Sequence, residues 1–173
     1  MPLESSDAIA TGAADVTPAS PVDILQALLQ DPTNPEIVHR LVDPNVTYVS
    51  LNFDNPDLHK LMPWAGTYQG IQSIIDTFTR IYQYWKTIEF RPDVVFGDQE
   101  NVALRGHATW TSAILNKTVS SPYAIFAQVK DGKITYMQFM EDTFMTATSF
   151  RSGGTWYFES NPNGEKVAVG DDA

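Results

Sequence analysis

Between Ile71 and Trp85 the apolar residues fall at Ile71, Ile74, Ile75, Phe78, Ile81, Tyr82 and Trp85. That spacing gathers into one wide stripe on an α-helix, and the stripe has to be buried against another layer. Gly70 permits a tight entry into this helix. A set of strands follows: Ile88 to Phe96, Val102 to Thr111, Ser121 to Val129 and Ile134 to Asp142. The first is bent or at an edge, because Pro92 cannot donate to a ladder. Gly97 to Asn101 reads as a turn, and Lys130-Asp131-Gly132-Lys133 as a hairpin with Asp-Gly as its signal.

Upstream, Pro21 sits well for the first turn of a helix carrying Val22, Leu25, Leu28 and Leu29 on one face, and Asp31-Pro32 stops it. Pro35 opens a shorter helix that ends at Asp43-Pro44. Val46 to Asn52 alternates as a strand. From Asn52 to Gly66 runs a long connection, and Lys60 to Tyr68 reads as a segment folded over the core or over a pocket mouth. That segment holds too many apolar residues for a solvated loop and too many Pro and Gly for a helix. The order is helix, helix, strand, helix and four strands in a meander, which means α+β with helices on one sheet face. A strongly bent antiparallel sheet covered in this way becomes a cone with an interior. Residues 1–20 read as a flexible arm, 21–158 as the single domain and 159–173 as a Gly- and Asp-rich tail.

The 173 residues fit one domain, and the 12% aromatic share supplies large rings for a core or a pocket. A net charge of −10 repels phosphate backbones, so nucleic acid is not an expected partner. There is no Cys, and His39, His59 and His107 are too scattered for a zinc motif, so neither metal nor cofactor is expected. No stretch is long and apolar enough for a membrane span, and the first 20 residues lack the pattern of a secretory leader. A cytoplasmic location follows by default.

Three short motifs, in this order and spacing, carry a resemblance. They are Gly66-Thr67-Tyr68-Gln69-Gly70 before the long helix, Asp131-Gly132-Lys133-Ile134, and Glu141-Asp142-Thr143 closing the last strand. From Val22 to Phe150 the chain resembles the nuclear transport factor 2-like superfamily. That superfamily holds the SnoaL-type polyketide cyclases, ketosteroid isomerase, limonene epoxide hydrolase and scytalone dehydratase. The resemblance implies a cystatin-like cone, a pocket on the concave face and a homodimer through the convex face. Trp156, Tyr157 and Phe158 add to the expectation of a dimer, as rings beyond the last core strand that need cover.

The family's catalytic positions carry over poorly. Where ketosteroid isomerase has its Asp base the count lands near Ser50, and where it has a phenol donor this chain has Ile24 and Leu25. The Asp of the cyclases and epoxide hydrolases falls on Phe139. The Arg-x-Asp of the epoxide hydrolase falls on Gly106 and Ala108, one residue away from Arg105 and His107.

Strand alternation puts Glu141 on the same face as Met137 and Phe139; either desolvation there raises its pKa and suits it to acid or base work, or it sits solvated at the rim while Asp142 caps the next turn. His107 is the second catalytic candidate, although alternation groups it with Arg105, Thr109 and Thr111 on the polar side of its strand. Tyr48, Ser50, Trp64, Tyr68, Trp110, Met137 and Phe139 are the expected pocket lining. Two functions fit these residues. One is a non-catalytic domain that binds a small apolar or aromatic molecule. The other is a cofactor-independent lyase, isomerase or hydrolase acting on such a molecule by acid/base chemistry. The missing family acids favour the first.

Overall fold

The computed structural model describes residues 20–170. The expected N-terminal arm lies almost wholly outside them. Helix α1 (Pro21–Gln30) starts in a capping box: Ser20 Oγ accepts from the Asp23 N–H while the Asp23 carboxylate accepts from the Ser20 N–H. Asn34 caps α2 (Pro35–Leu41), and β1 (Val42–Ser50) follows at once. The connection after β1 is not helix-free. Asn55 accepts from the Leu58 N–H and Pro56 takes the first position of α3 (Pro56–Leu61), a helix that the expected order lacks. Gly66–Gln69 then forms β2, also missing from the expected order.

Helix α4 (Ile71–Tyr84) leads into the meander of β3 (Trp85–Gly97), β4 (Asn101–Ser112), β5 (Thr118–Lys130) and β6 (Lys133–Glu141). The six strands run in the order β2-β1-β6-β5-β4-β3. Every pair is antiparallel except β1 with β6, which is parallel, so the sheet is not antiparallel throughout as expected. The chain reaches β1 before α4 reverses it into the meander, and four alternating strands later β6 points the same way as β1.

Strand alternation separates two faces. Val102, Leu104, Ala108 and Trp110 of β4, Tyr123, Ile125 and Ala127 of β5, and Met137 and Phe139 of β6 are buried on the inner face. There α1 packs against β3 to β6, and α4 against β1 and β3. This is the expected α+β cone, with helices inside the curve.

Gly106 is where the inner face is tightest. A Cβ there would meet the Arg91 carbonyl oxygen and lie 2.7 Å from the Tyr123 ring and hydroxyl. Gly106→Ala is expected to cost at least about 2 kcal/mol, because neither a strand carbonyl nor a buried ring can move aside. Urea unfolding of the variant checks this.

Beyond β6, α5 (Thr143–Ala147) and a 3₁₀ turn (Thr148–Phe150) lead to a hairpin of β7 (Thr155–Phe158) and β8 (Val167–Gly170). Four residues of the expected tail, Val167–Gly170, therefore form β8. Its turn is built by Asn161 and Asn163: the Gly164 N–H donates to the Asn161 carbonyl at 2.9 Å and the Glu165 N–H to Asn163 Oδ1 at 2.8 Å. Tyr157, on the outer side of this hairpin, is 73% exposed. No helix among the described residues is long and apolar enough to cross a membrane.

Candidate active site

The helices do not fill the cone. They leave a cavity of about 510 Å³, within the range of small-molecule sites. Leu29 and Pro32 at the end of α1, Phe78, Ile81 and Tyr82 of α4, and Trp85, Thr87 and Phe90 of β3 line one side. Trp110, Phe139, Leu51, Trp64 and Glu141 complete it with Lys86 and Ala113. The rings hold one another. Trp85 stacks on Trp110 at 5.3 Å and on Phe150 at 4.9 Å, and Trp64 meets it edge-on at 5.2 Å. Tyr123 stacks on Phe90 at 4.3 Å and on Phe139 at 5.6 Å. The Trp85 indole N–H donates to Ser149 Oγ at 2.9 Å, which ties the wall to the 3₁₀ turn.

Glu141 is the one carboxylate in this lining. It ends β6 opposite Tyr123, and alternation with Met137 and Phe139 turns it inward. The next residue faces elsewhere: Asp142 caps α5, its Oδ1 accepting from the Met145 N–H at 3.0 Å. That cap places Thr146 one turn on, where its Oγ lies 2.9 Å from Glu141 Oε1 and 3.2 Å from the Asp142 carbonyl. The hydroxyl can therefore serve both states of the acid. It donates to the ionised carboxylate, or it accepts from the protonated one and donates to the Asp142 carbonyl.

Burial pushes the Glu141 pKa up to about 7; the Thr146 hydrogen bond opposes the shift and the Asp142 charge adds to it. Tyr48 is fully buried beside Ser50 and stacked on Phe78 at 6.3 Å. Its phenol is raised first by burial, with the Ser50 hydroxyl opposing and the Glu141 and Tyr68 charges adding.

Of the expected lining residues, Trp64, Trp110 and Phe139 reach the cavity. Tyr48, Ser50 and Met137 are buried but lie outside the lining, and Phe78 of α4 stacks on Tyr48. Tyr68 is placed elsewhere. It sits on β2, donates to the Ala65 carbonyl at 3.1 Å and borders a separate polar cleft with Asp76 and Arg80. Only Trp64 of the expected lid touches the cavity. His107 is on the outer face, its Nδ1 2.6 Å from Asp93 Oδ2, with Arg91 and Arg105 around the same carboxylate. The sheet lies between it and the cavity, so it cannot assist Glu141. No group of three or more His, Cys, Asp or Glu among the described residues is placed to hold a metal.

Residues 26–137 match the family model of the SnoaL-like domain. The chain belongs to the SnoaL-like domain family. This SnoaL-like chain is 46% identical to patulin synthesis protein F of Aspergillus clavatus over 84% of its own length and 76% of the relative's. It is 45% identical, over the same shares, to patulin biosynthesis cluster protein F of Penicillium expansum. Among solved structures, an NTF2-like protein from Burkholderia thailandensis superposes with a TM-score of 0.65 at 20% identity, covering 77% of this chain and 98% of that one. Those values establish the shared SnoaL-like fold. The matched segment ends at Met137, before Glu141 and Thr146, so the match assigns neither.

Proposed function

We propose that this SnoaL-like protein is a cofactor-independent enzyme that moves a proton within a small apolar molecule, in the manner of an isomerase or cyclase. The observation that carries the reading is Glu141, the one carboxyl in a mostly apolar cavity wall, with its pKa raised to about 7. A group poised near neutrality is present in both forms and can take a proton and return it. In the proposed step the Glu141 carboxylate accepts a proton from a C–H or O–H next to a carbonyl, and the substrate keeps the electron pair. The resulting carboxylic acid gives the proton back at another atom of the same molecule. No electrons leave the substrate, so the step requires no redox partner. Thr146 changes the direction of its hydrogen bond as the acid changes state. Two relatives named for patulin synthesis support a role in making a small secondary metabolite.

Deuterium exchange tests the chemistry. The protein in D₂O is expected to speed loss of the α-protons of 2-tetralone or 2-cyclohexenone, followed by NMR, and Glu141→Gln to remove about hundredfold or more of that acceleration. Exchange no faster than in buffer would leave the non-catalytic binding domain as the better reading.

We also propose a homodimer formed on the outer sheet face, supported by the exposed Val94, Phe96 and Met140 there. Light scattering that returns a monomer at micromolar concentration would remove it.

A further inference from the structure

We infer that the cavity admits flat, uncharged organic molecules and rejects organic anions, and that Glu141 sets this choice. The inference rests on the reading of Glu141 as the working group of the site. It adds what kind of molecule the site takes.

Seven of the fifteen lining residues are aromatic. Such walls offer ring faces and edges held rigid by their mutual stacking, and a planar π-system makes the most contact with them. The charge inventory is shorter. Glu141 and Lys86 are the acid and the base in the lining, with the Tyr82 phenol beside them. Lys86 borders the cavity from the solvent side. Its register partner on β4 is Thr111, an outer-face residue that bonds Thr118 across β5 at 2.8 Å, and Lys86 itself is exposed. Trp85 and Thr87 on either side of it are the residues that β3 turns inward, opposite Ser112 and Trp110.

An anion that passes Lys86 into the aromatic interior therefore leaves water with no further cation in the lining, and it meets the Glu141 carboxylate. Two like charges in one poorly solvated space cannot both stay ionised, so either a proton is taken up or the ligand is expelled. The chain's net charge of −10 adds to the repulsion from outside. Among the other ionisable groups around Glu141, Tyr48 on β1 and Tyr123 on β5 are held neutral by burial, and Asp142 caps α5. On α5 the group facing it is the Thr146 hydroxyl.

The test uses two probes of one shape, 2-naphthamide and 2-naphthoate, titrated into the full chain by calorimetry at pH 8.5 and pH 5.5. The amide is expected to bind at both pH values with affinities within about twofold. The carboxylate is expected to bind at least about tenfold more weakly than the amide at pH 8.5, and to recover part of that, the share due to repulsion, at pH 5.5 and in Glu141→Gln at either pH. Equal or tighter binding of 2-naphthoate at pH 8.5 would overturn the inference. A preference for the amide that persists unchanged in Glu141→Gln would overturn the role of Glu141. Failure of both probes to bind would overturn the cavity as a site for flat molecules. None of these readouts involves turnover, so a protein that selects by charge yet does not accelerate proton exchange would refute the catalytic reading alone.

Discussion

Glu141→Gln is expected to make the protein more stable above neutral pH as well as inactive. The folded state holds the Glu141 proton up to about pH 7, whereas the unfolded chain releases it near 4.5. Between those values the folded state binds more protons than the unfolded one, so this group's contribution falls as pH rises through the window and stays low beyond it. The full shift corresponds to about 3 kcal/mol. Contact with solvent through the cavity mouth reduces that to an expected gain of about 1–3 kcal/mol for the Gln variant at pH 8. Below pH 4.5 the wild-type side chain is neutral in both states, and the two proteins should be equally stable. Gln keeps the shape and can still hydrogen-bond Thr146, so the difference isolates the charge. Urea unfolding at pH 4.5 and pH 8 decides it. A variant that is equally stable, or less stable, at pH 8 would mean that the carboxylate is solvated in the folded protein.

Trp85→Ala should produce the largest loss of stability of any single change at the site, about 3–5 kcal/mol. Trp85 is 2% exposed, lies between Trp110 and Phe150, and carries the bond to Ser149. It also ends α4, its N–H donating to the Ile81 carbonyl, so helix, sheet and 3₁₀ turn meet on one ring. Trp85→Phe keeps most of the stacking and gives up the indole N–H. That variant should lose about 1 kcal/mol for the hydrogen bond, plus a smaller amount for the missing ring volume. Thermal unfolding of the pair separates the two contributions. Similar losses for both would assign the stability to the Ser149 bond.

The long helix and the meander were legible because each carries a strict period, 3.6 in α4 and 2 in β4 to β6, and each period is enforced by one buried face. The inward position of Glu141 followed from the same period, counted from Phe139. Helix α3 was not legible because proline both breaks and begins helices, and what decides is the capping residue before it, here Asn55. Trp85, Phe90 and Phe78 were assigned to a stripe and an edge strand and not to a cavity wall. Periodicity tells which residues turn inward, but not which of them find a neighbour there. Two bulges in β3, between Thr87 and Glu89 and between Pro92 and Val94, also break the count that would have placed Phe90. Thr146 left one signal, its position four residues after a capping Asp142 that directly follows the acid.

The parallel pairing of β1 with β6 has a kinetic consequence. The hairpins from β3 to β6 join neighbours in sequence and can close early. The register Ser50 to Phe139 joins residues that stay far apart along the chain until the meander exists to receive β1. Tyr48 comes within range of the Glu141 charge only through that pairing, so the acid is expected to lose its solvent late in folding. Mutations in β1 should therefore speed unfolding more than they slow folding.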